Sequence, residues 1–187
     1  YQGDIPARSG MASSSAFTVG LLHALHALQG KHVGRHELAH QAIHIERVML
    51  QEAGGIQDQV ACAHGGLNLI RFDGQPEGYS LDPVVMFTGR RAALEARLML
   101  FYLGSRVGTA SDVTRTYDVE AQAHQLRVLK ALVEEAVHVL VGTTDLDAFG
   151  RLLHETWRVK REIGAVSTEE IDAVYAAAST THESGLV

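Results

Sequence analysis

Leucines recur at three- and four-residue spacing between positions 21 and 28. This is the period of one face of an α-helix. Gly30 follows the run, and glycine is typical of the position just after a helix end. The pattern predicts a first helix over residues 14–29 with its leucine face in the core.

A second helix is predicted over residues 35–50, and its apolar face contains a carboxylate. The side chains that share this face at helical spacing are Leu38, Ala39, Ala42, Ile43 and Glu46. Turning a carboxylate toward a core is costly unless a cation, a metal or strong hydrogen-bond donors meet it. Glu46 therefore either lies at the edge of the face and pairs with a base such as Arg47, or is held for a ligand.

Shorter elements follow the second helix. Glycine pairs bracket a short alanine-rich helix that has Asp58 at its start, and residues 69–72 are typical of a strand. Residues 73–78 form the clearest turn signal in the chain and predict a hairpin or a seam between domains. The continuous apolar run over residues 98–104 predicts a short buried strand.

Helical spacing dominates the rest of the chain. Apolar residues keep a helical period from residue 112 onward, with a break at 142–144 and a capping box at 167–170 that opens a last helix. These segments are typical of helices that pack against one another, and we assign no catalytic or binding residue to them.

Composition and charge narrow the class of protein. The chain has 187 residues, 46% of them apolar and 20% charged, which is typical of a soluble globular protein. Its net charge is −6 and no cluster of Lys and Arg occurs, which argues against nucleic-acid and acidic-membrane partners. The only cysteine, Cys62, excludes a disulfide framework and fits a reducing compartment. With no signal peptide visible and no apolar run long enough to span a bilayer, we expect a cytoplasmic protein.

A loop rich in small residues precedes the first helix. Pro6, Gly10 and three hydroxyl residues at 13–15 lead directly into the leucine pattern. The first amides of a helix lack intrahelical partners and its dipole favours an anion there, so the segment is suited to holding a phosphate. Serine-rich helix caps are common, however, and such a loop by itself leaves both interpretations open.

The second helix also contains a zinc-protease pattern. His36, Glu37 and His40 satisfy H-E-x-x-H, in which two histidines one turn apart hold zinc and the glutamate activates a water. The chain has eleven histidines, no clear third ligand follows, and both histidines lie away from the apolar face. A solvated helix face is therefore the simpler interpretation, and a zinc hydrolase is kept as an alternative hypothesis.

The loop resembles the phosphate loop of the GHMP small-molecule kinases, P-x-x-x-G-L-G-S-S-A. The matching residues are Pro6, Gly10, Met11, Ala12, Ser13 and Ser14, with Ala12 where that family has its second glycine. The sequence at residues 7–10, Ala-Arg-Ser-Gly, is most similar to that of the branch that phosphorylates heptose 7-phosphate at the anomeric hydroxyl.

The resemblance implies a set of site residues. The loop would cradle the ATP phosphates with Ser9, Gly10, Met11, Ala12, Ser13, Ser14 and Ser15. Ser14 and Glu46 match the residues that bind Mg²⁺ in these kinases. Asp58, in a G-x-x-D-Q segment, matches their catalytic aspartate; without the resemblance, it would be taken as a helix N-cap.

The resemblance also implies the fold and the function. It predicts an α+β protein with the two-domain GHMP kinase fold, incomplete at both ends, with residues 1–75 in the N-terminal domain and 76–187 in a helix-rich C-terminal domain. The implied reaction transfers the γ-phosphoryl of Mg·ATP to a sugar phosphate, with heptose 7-phosphate, a lipopolysaccharide precursor, as the expected acceptor. The pattern near residue 101 is similar to a segment of the same branch, but no role is assigned to Arg106.

One alternative remains within the family. Ala12 and the missing ends favour a nucleotide-binding fragment without catalysis. The oligomeric state is left open by the sequence.

Overall fold

The structure is a computed structural model that describes residues 10–104, 118, 120–164 and 166–183. In these residues helices dominate, and one antiparallel hairpin interrupts them. The elements within the described residues are α1 (Ser13–Leu28), α2 (Arg35–Ile43), a π-helical segment (His44–Met49), α3 (Gln57–His64), β1 (Asn68–Phe72), β2 (Tyr79–Pro83), α4 (Thr88–Glu95), α5 (Ala123–Val141), α6 (Asp147–Ile163) and α7 (Glu169–Glu183).

The predicted first helix is found within one residue of its expected bounds, but the second helix is not a regular α-helix throughout. After Ile43 the backbone continues as a π-helix, in which the amide of Leu50 donates to the carbonyl of Ile45, 2.9 Å away and five residues earlier. The predicted apolar face is buried all the same, with Glu46 only 4% exposed. π-helical turns are rare and occur often at functional sites, so the turn that contains Glu46 is a candidate part of a functional site.

The first small core lies beneath this region. Ile43, Ile56 and Val60 are buried together, and the hairpin residues Ile70, Tyr79 and Leu81 pack against them. The turn at 73–78 joins β1 and β2 in antiparallel register, from Asn68 opposite Pro83 to Phe72 opposite Tyr79. The expected boundary between residues 75 and 76 falls in this turn, and the division into domains stays a prediction.

A second small core joins α4 to the later helices. Leu94, Leu140 and Leu146 are buried together. The Arg90 side chain on α4 donates from Nε to the carbonyl of Leu140 at 2.8 Å and from Nη2 to that of Thr144 at 2.6 Å. The first bond satisfies a carbonyl in the last turn of α5, where the helix itself supplies no amide partner, and the second holds the loop that follows α5.

The apolar run at 98–104 does not form the predicted strand. The structure gives these residues no regular element, and the exposed fraction is 82% for Leu100 and 52% for Phe101. A strand needs a neighbour to pair with, and in the described residues none lies beside this run. Arg106, to which no role was assigned, lies outside the described residues. None of the described helices combines the length and the hydropathy that a bilayer crossing requires.

Candidate functional site

Glu46 is the point at which three elements meet. Its Oε2 accepts a hydrogen bond of 2.9 Å from Oγ of Ser15, in the first turn of α1. The same oxygen accepts a second bond from Nε2 of Gln59 on α3. All three side chains are buried, with exposed fractions of 4% or less. The carboxylate on the apolar face is therefore held by strong donors, which is one of the conditions that its burial requires.

The other carboxylate oxygen is buried, and the part of the chain that the structure describes offers it no partner. Glu46 Oε1 has no hydrogen-bond donor among the described residues, and Gln59 Oε1 is in the same situation. Arg47, the base that could have paired with Glu46, instead donates from Nη1 to the carbonyl of Glu52. A buried carboxylate oxygen left free suits a hard cation such as Mg²⁺, which binds through one or two carboxylates and keeps several waters.

The backbone is tightly turned over residues 10–12, the described end of the loop before α1. Gly10 and Ala12 both have positive φ angles, 74° and 53°, and Ala12 is the N-cap residue of α1. Within the described part of the chain, no side chain caps this helix start. The positive end of the helix dipole is thus presented to whatever lies in front of the loop.

The two serines at the helix start point to different neighbours. Ser14 is exposed and lines an open cavity that Glu46 also lines. Ser15 is buried and hydrogen-bonds to Glu46. Met11 is exposed and Ser13 is half-buried, both at the start of α1. Ser9, the first expected phosphate contact, lies outside the described residues.

Asp58 is exposed in the first turn of α3, and Ile56 is the N-cap residue of that helix. Asp58 is therefore not the N-cap that its position could have suggested. It lies close enough to Cys62 to influence that thiol: burial raises the pKa of Cys62, and the negative charges of Asp58 and Glu46 raise it further. The Cys62 Sγ in turn lies 4.0 Å from the carbonyl oxygen of Ala12. α3 thus brings Asp58, Cys62 and the loop into one neighbourhood.

Gln59 is the residue of this site that the sequence interpretation missed. It is buried on α3 next to Val60. Glu46 was selected from the sequence because it is a polar side chain on an apolar helix face. Applied to α3, the same criterion would have selected Gln59.

The H-E-x-x-H residues make contacts with the hairpin and along α2. His36 and His40 contact each other and Tyr79 of the hairpin, whereas Glu37 accepts a 2.7 Å bond from Gln41 on the same helix. Within the described ranges, no group of three or more His, Cys, Asp or Glu side chains is arranged to hold one metal ion. The glutamate is thus not arranged with the two histidines as a zinc hydrolase requires.

Comparison with known proteins relates the N-terminal part of the chain to a family. Residues 1–66 match the model of the GHMP kinases N terminal domain. The chain is 27% identical over 183 residues to D-glycero-alpha-D-manno-heptose 7-phosphate kinase of Campylobacter jejuni. The crystal structure of a D-glycero-D-manno-heptose 1-phosphate kinase from Bacteroides thetaiotaomicron superposes with a TM-score of 0.66 at 28% identity. A second solved structure, a sugar kinase candidate from Campylobacter jejuni, gives 0.65 at 26% identity.

Each of these matches covers most of this chain but only part of the relative. The alignment with the curated kinase takes in 92% of this chain and 51% of the relative, and the Bacteroides structure is matched over 88% and 48%. The chain therefore spans about half the length of the relatives that it matches. The expected family resemblance and the mixed α and β fold of that family are confirmed.

Proposed function

We propose, because residues 1–66 match the model of the GHMP kinases N terminal domain, that the chain carries the phosphate loop and the catalytic groups of an ATP-dependent sugar kinase. The observation that carries this proposal is the buried Glu46 carboxylate behind a positively polarised helix start: Ser15 and Gln59 hold one of its oxygens, and the other has no donor among the described residues. A buried anion next to a site for phosphates is favourable only when a cation joins them.

The cation in this proposal is Mg²⁺. Glu46 Oε1 and the Ser14 hydroxyl would hold it, since both residues line the same cavity. When bound, Mg²⁺ neutralises charge on the nucleotide phosphates. Ser15 and Gln59 would keep the carboxylate in place, and the loop amides from Ser9 to Ser15 would cradle the phosphates.

Asp58 is proposed as the group that receives the proton of the sugar hydroxyl. In the transfer, the bond from the γ-phosphorus to its bridging oxygen breaks, a bond to the sugar oxygen forms, and ADP leaves. The hydroxyl proton passes to the Asp58 carboxylate, which is exposed on the helix whose Cys62 contacts the loop at Ala12. Positioning and charge neutralisation supply most of the rate enhancement in such reactions.

The acceptor class follows from the relatives. Two of them are named as heptose phosphate kinases, one for the 7-phosphate and one for the 1-phosphate. We therefore propose a sugar phosphate as the acceptor, with the anomeric hydroxyl of heptose 7-phosphate as the first candidate.

Calorimetric titration of the 187-residue chain with Mg·ATP tests the nucleotide site. Binding should weaken at least tenfold in Glu46→Gln and stay unchanged in Glu52→Gln, which alters an exposed carboxylate that lines the same cavity. Release of ADP with heptose 7-phosphate, compared with release without sugar, then tests the transfer. Equal binding in both variants would contradict the metal role of Glu46.

A nucleotide-binding role without catalysis is the second candidate. Ala12 favours it, because its methyl group lies where the family has a glycine and can crowd a phosphate that approaches the backbone. Saturable Mg·ATP binding with no sugar-dependent ADP release would support this candidate over the kinase.

A further inference from the structure

A cluster of three histidines, a tyrosine and a glutamate lies where α2 and the end of α3 meet the hairpin. His36 and His40 are on α2, and His64 is the last residue of α3. Glu77 is in the hairpin turn, and Tyr79 begins β2. The cluster therefore joins two helices to the hairpin, and nothing in the proposed kinase chemistry uses it.

Hydrogen bonds connect all five side chains. Tyr79 Oη lies 3.0 Å from Nε2 of His64 and 2.9 Å from Nδ1 of His36. His36 Nε2 lies 3.1 Å from Nε2 of His40. The series of hydrogen bonds ends at Glu77, whose Oε2 lies 3.2 Å from Nδ1 of His40.

One assignment of protons satisfies every bond with neutral imidazoles. Since a carboxylate can only accept, His40 donates from Nδ1 to Glu77, and its Nε2 is left as an acceptor. His36 then donates from Nε2 to His40, Tyr79 donates its hydroxyl proton to Nδ1 of His36, and His64 donates from Nε2 to Tyr79. Burial, together with the nearby His36 and Arg35, lowers the pKa of His64, which agrees with its neutral form.

We propose that His36 and His40 form a binding site for a late first-row divalent metal ion, coordinated through their two Nε2 atoms. With metal–nitrogen bonds of about 2.0–2.1 Å, two imidazole nitrogens are roughly 2.9 Å apart at a right angle and roughly 3.3 Å apart at a tetrahedral angle. The observed 3.1 Å lies between these two separations. The backbone of α2 thus already holds the two nitrogens at a ligand spacing.

The surrounding residues fit the second layer of a metal site. Imidazoles that bind a metal usually donate their other nitrogen to a carboxylate or another oxygen, which fixes the ring orientation. Glu77 already accepts from Nδ1 of His40. Tyr79 can accept from Nδ1 of His36 once that ring carries its proton there.

Protons balance in this exchange. The His36 proton moves from Nε2 to Nδ1, and the Tyr79 hydroxyl turns to donate to Nε2 of His64, whose own proton moves to Nδ1. No net proton is released while the imidazoles are neutral. Both Nε2 atoms are then free to bind the metal.

The site has two protein ligands, and its remaining positions would be filled by water. His36 is exposed and the side chain of His40 is 30% exposed, so an ion reaches the pair directly from solvent. Imidazole nitrogen selects Zn²⁺, Ni²⁺ or Cu²⁺, while Mg²⁺ prefers oxygen ligands. The pair is therefore chemically distinct from the carboxylate site at Glu46 and does not depend on the proposed kinase function.

The test is a Zn²⁺ titration of the full 187-residue chain without an affinity tag, followed by calorimetry and by thermal unfolding. We expect one saturable site and a rise in melting temperature, because a ligand that binds the native state stabilises it. His36→Gln and His40→Gln should each abolish this site. His44→Gln is the matched control, since His44 is exposed one helical turn beyond His40 and should leave the site intact.

Glu77→Gln gives a second, milder test that does not alter a ligand. Removing an orienting partner typically weakens metal binding by about 10- to 100-fold. The Zn²⁺ affinity of Glu77→Gln should therefore be lower than that of the parent chain by such a factor, while one ion still binds per chain. The proposal is overturned if no saturable site is found, if His36→Gln binds as well as the parent chain, or if His44→Gln loses the site. Mg²⁺ that competes equally with Zn²⁺ would overturn it as well.

Discussion

The hydroxyl of Ser15 lies 2.9 Å from a carboxylate oxygen of Glu46, across 31 residues of chain. This bond fixes the start of α1 against the π-helical turn, and both residues are buried. The neighbouring serine, Ser14, is exposed at the cavity. We therefore propose different tasks for the two adjacent hydroxyls: one orients the carboxylate, and the other is available to a ligand.

Substitution of the two serines should separate these tasks. Ser15→Ala removes a buried hydrogen bond to a carboxylate and should lower the free energy of unfolding by about 1–3 kcal/mol. Ser14→Ala should leave stability unchanged within about 0.5 kcal/mol and weaken Mg·ATP binding. Urea unfolding and calorimetry on the same two variants measure both effects. Equal loss of stability in the two would contradict the different roles assigned here.

Asp58→Asn should leave the fold intact and lower sugar-dependent ADP release without weakening Mg·ATP binding. Asp58 is exposed, so its replacement removes no core contact. Its charge also raises the pKa of Cys62, and the neutral amide should therefore lower that pKa and speed alkylation of the thiol at pH 8. Iodoacetamide labelling measures this effect directly. Glu135→Gln, a change to an exposed carboxylate on α5, should label like the parent; if Asp58→Asn does too, the proposed neighbourhood is wrong.

Ala12→Gly should stabilise the protein slightly and favour phosphate binding. Ala12 has φ 53° and ψ 29°, the left-handed region, in which a Cβ costs roughly 1–2 kcal/mol. Glycine avoids this cost but is more flexible in the unfolded chain, so the net gain should be about 0.5–1 kcal/mol.

Ala16→Gly is the matched control for this change, because Ala16 lies within α1, where glycine is unfavourable. It should lose about 0.5–1 kcal/mol. Chemical denaturation compares the two variants. If Ala12→Gly is as destabilising as Ala16→Gly, the left-handed conformation at residue 12 is not the source of strain.

The stability of the protein should fall as the pH drops below about 6.5, the ordinary pKa of histidine. The pKa of His64 is lowered in the folded state, chiefly by burial and then by His36 and Arg35. The unfolded chain therefore binds a proton at a higher pH than the folded chain does, so acidification favours unfolding until the folded pKa is also passed.

His64→Gln removes this contribution and should flatten the dependence of the unfolding midpoint on pH between 7.5 and 5.5. His124→Gln alters an exposed histidine on α5 and should keep the slope of the parent chain. Thermal unfolding at several pH values measures both slopes. An unchanged slope in His64→Gln would contradict the assigned cause.

The local pattern of the sequence predicted several elements well. Helical periodicity defined α1 to within one residue and placed Glu46 on the buried face of the second helix. Turn chemistry located the hairpin, in which Oδ1 of Asp73 accepts from the amide of Gln75 at 2.9 Å. These features depend on neighbours within a few positions, which a sequence displays directly.

For the apolar run near Leu100, the local pattern predicted the wrong structure. A run of apolar residues is compatible with a buried strand, but burial requires a surface from elsewhere in the chain. The structure leaves Leu100 exposed, because in the described residues no strand lies beside it. Composition alone cannot supply the missing neighbour.

The sequence by itself determined which helix faces are apolar, where the loop before α1 lies and that Glu46 needed a partner. The tertiary structure decided that Ser15 and Gln59 are the partners, and that Glu77 and Tyr79 complete the cluster around His36 and His40. The physical reason is that adjacent residues on a helix point about 100° apart. Which of two adjacent hydroxyls meets a carboxylate therefore depends on how the helices pack, and that packing is set by the whole buried core.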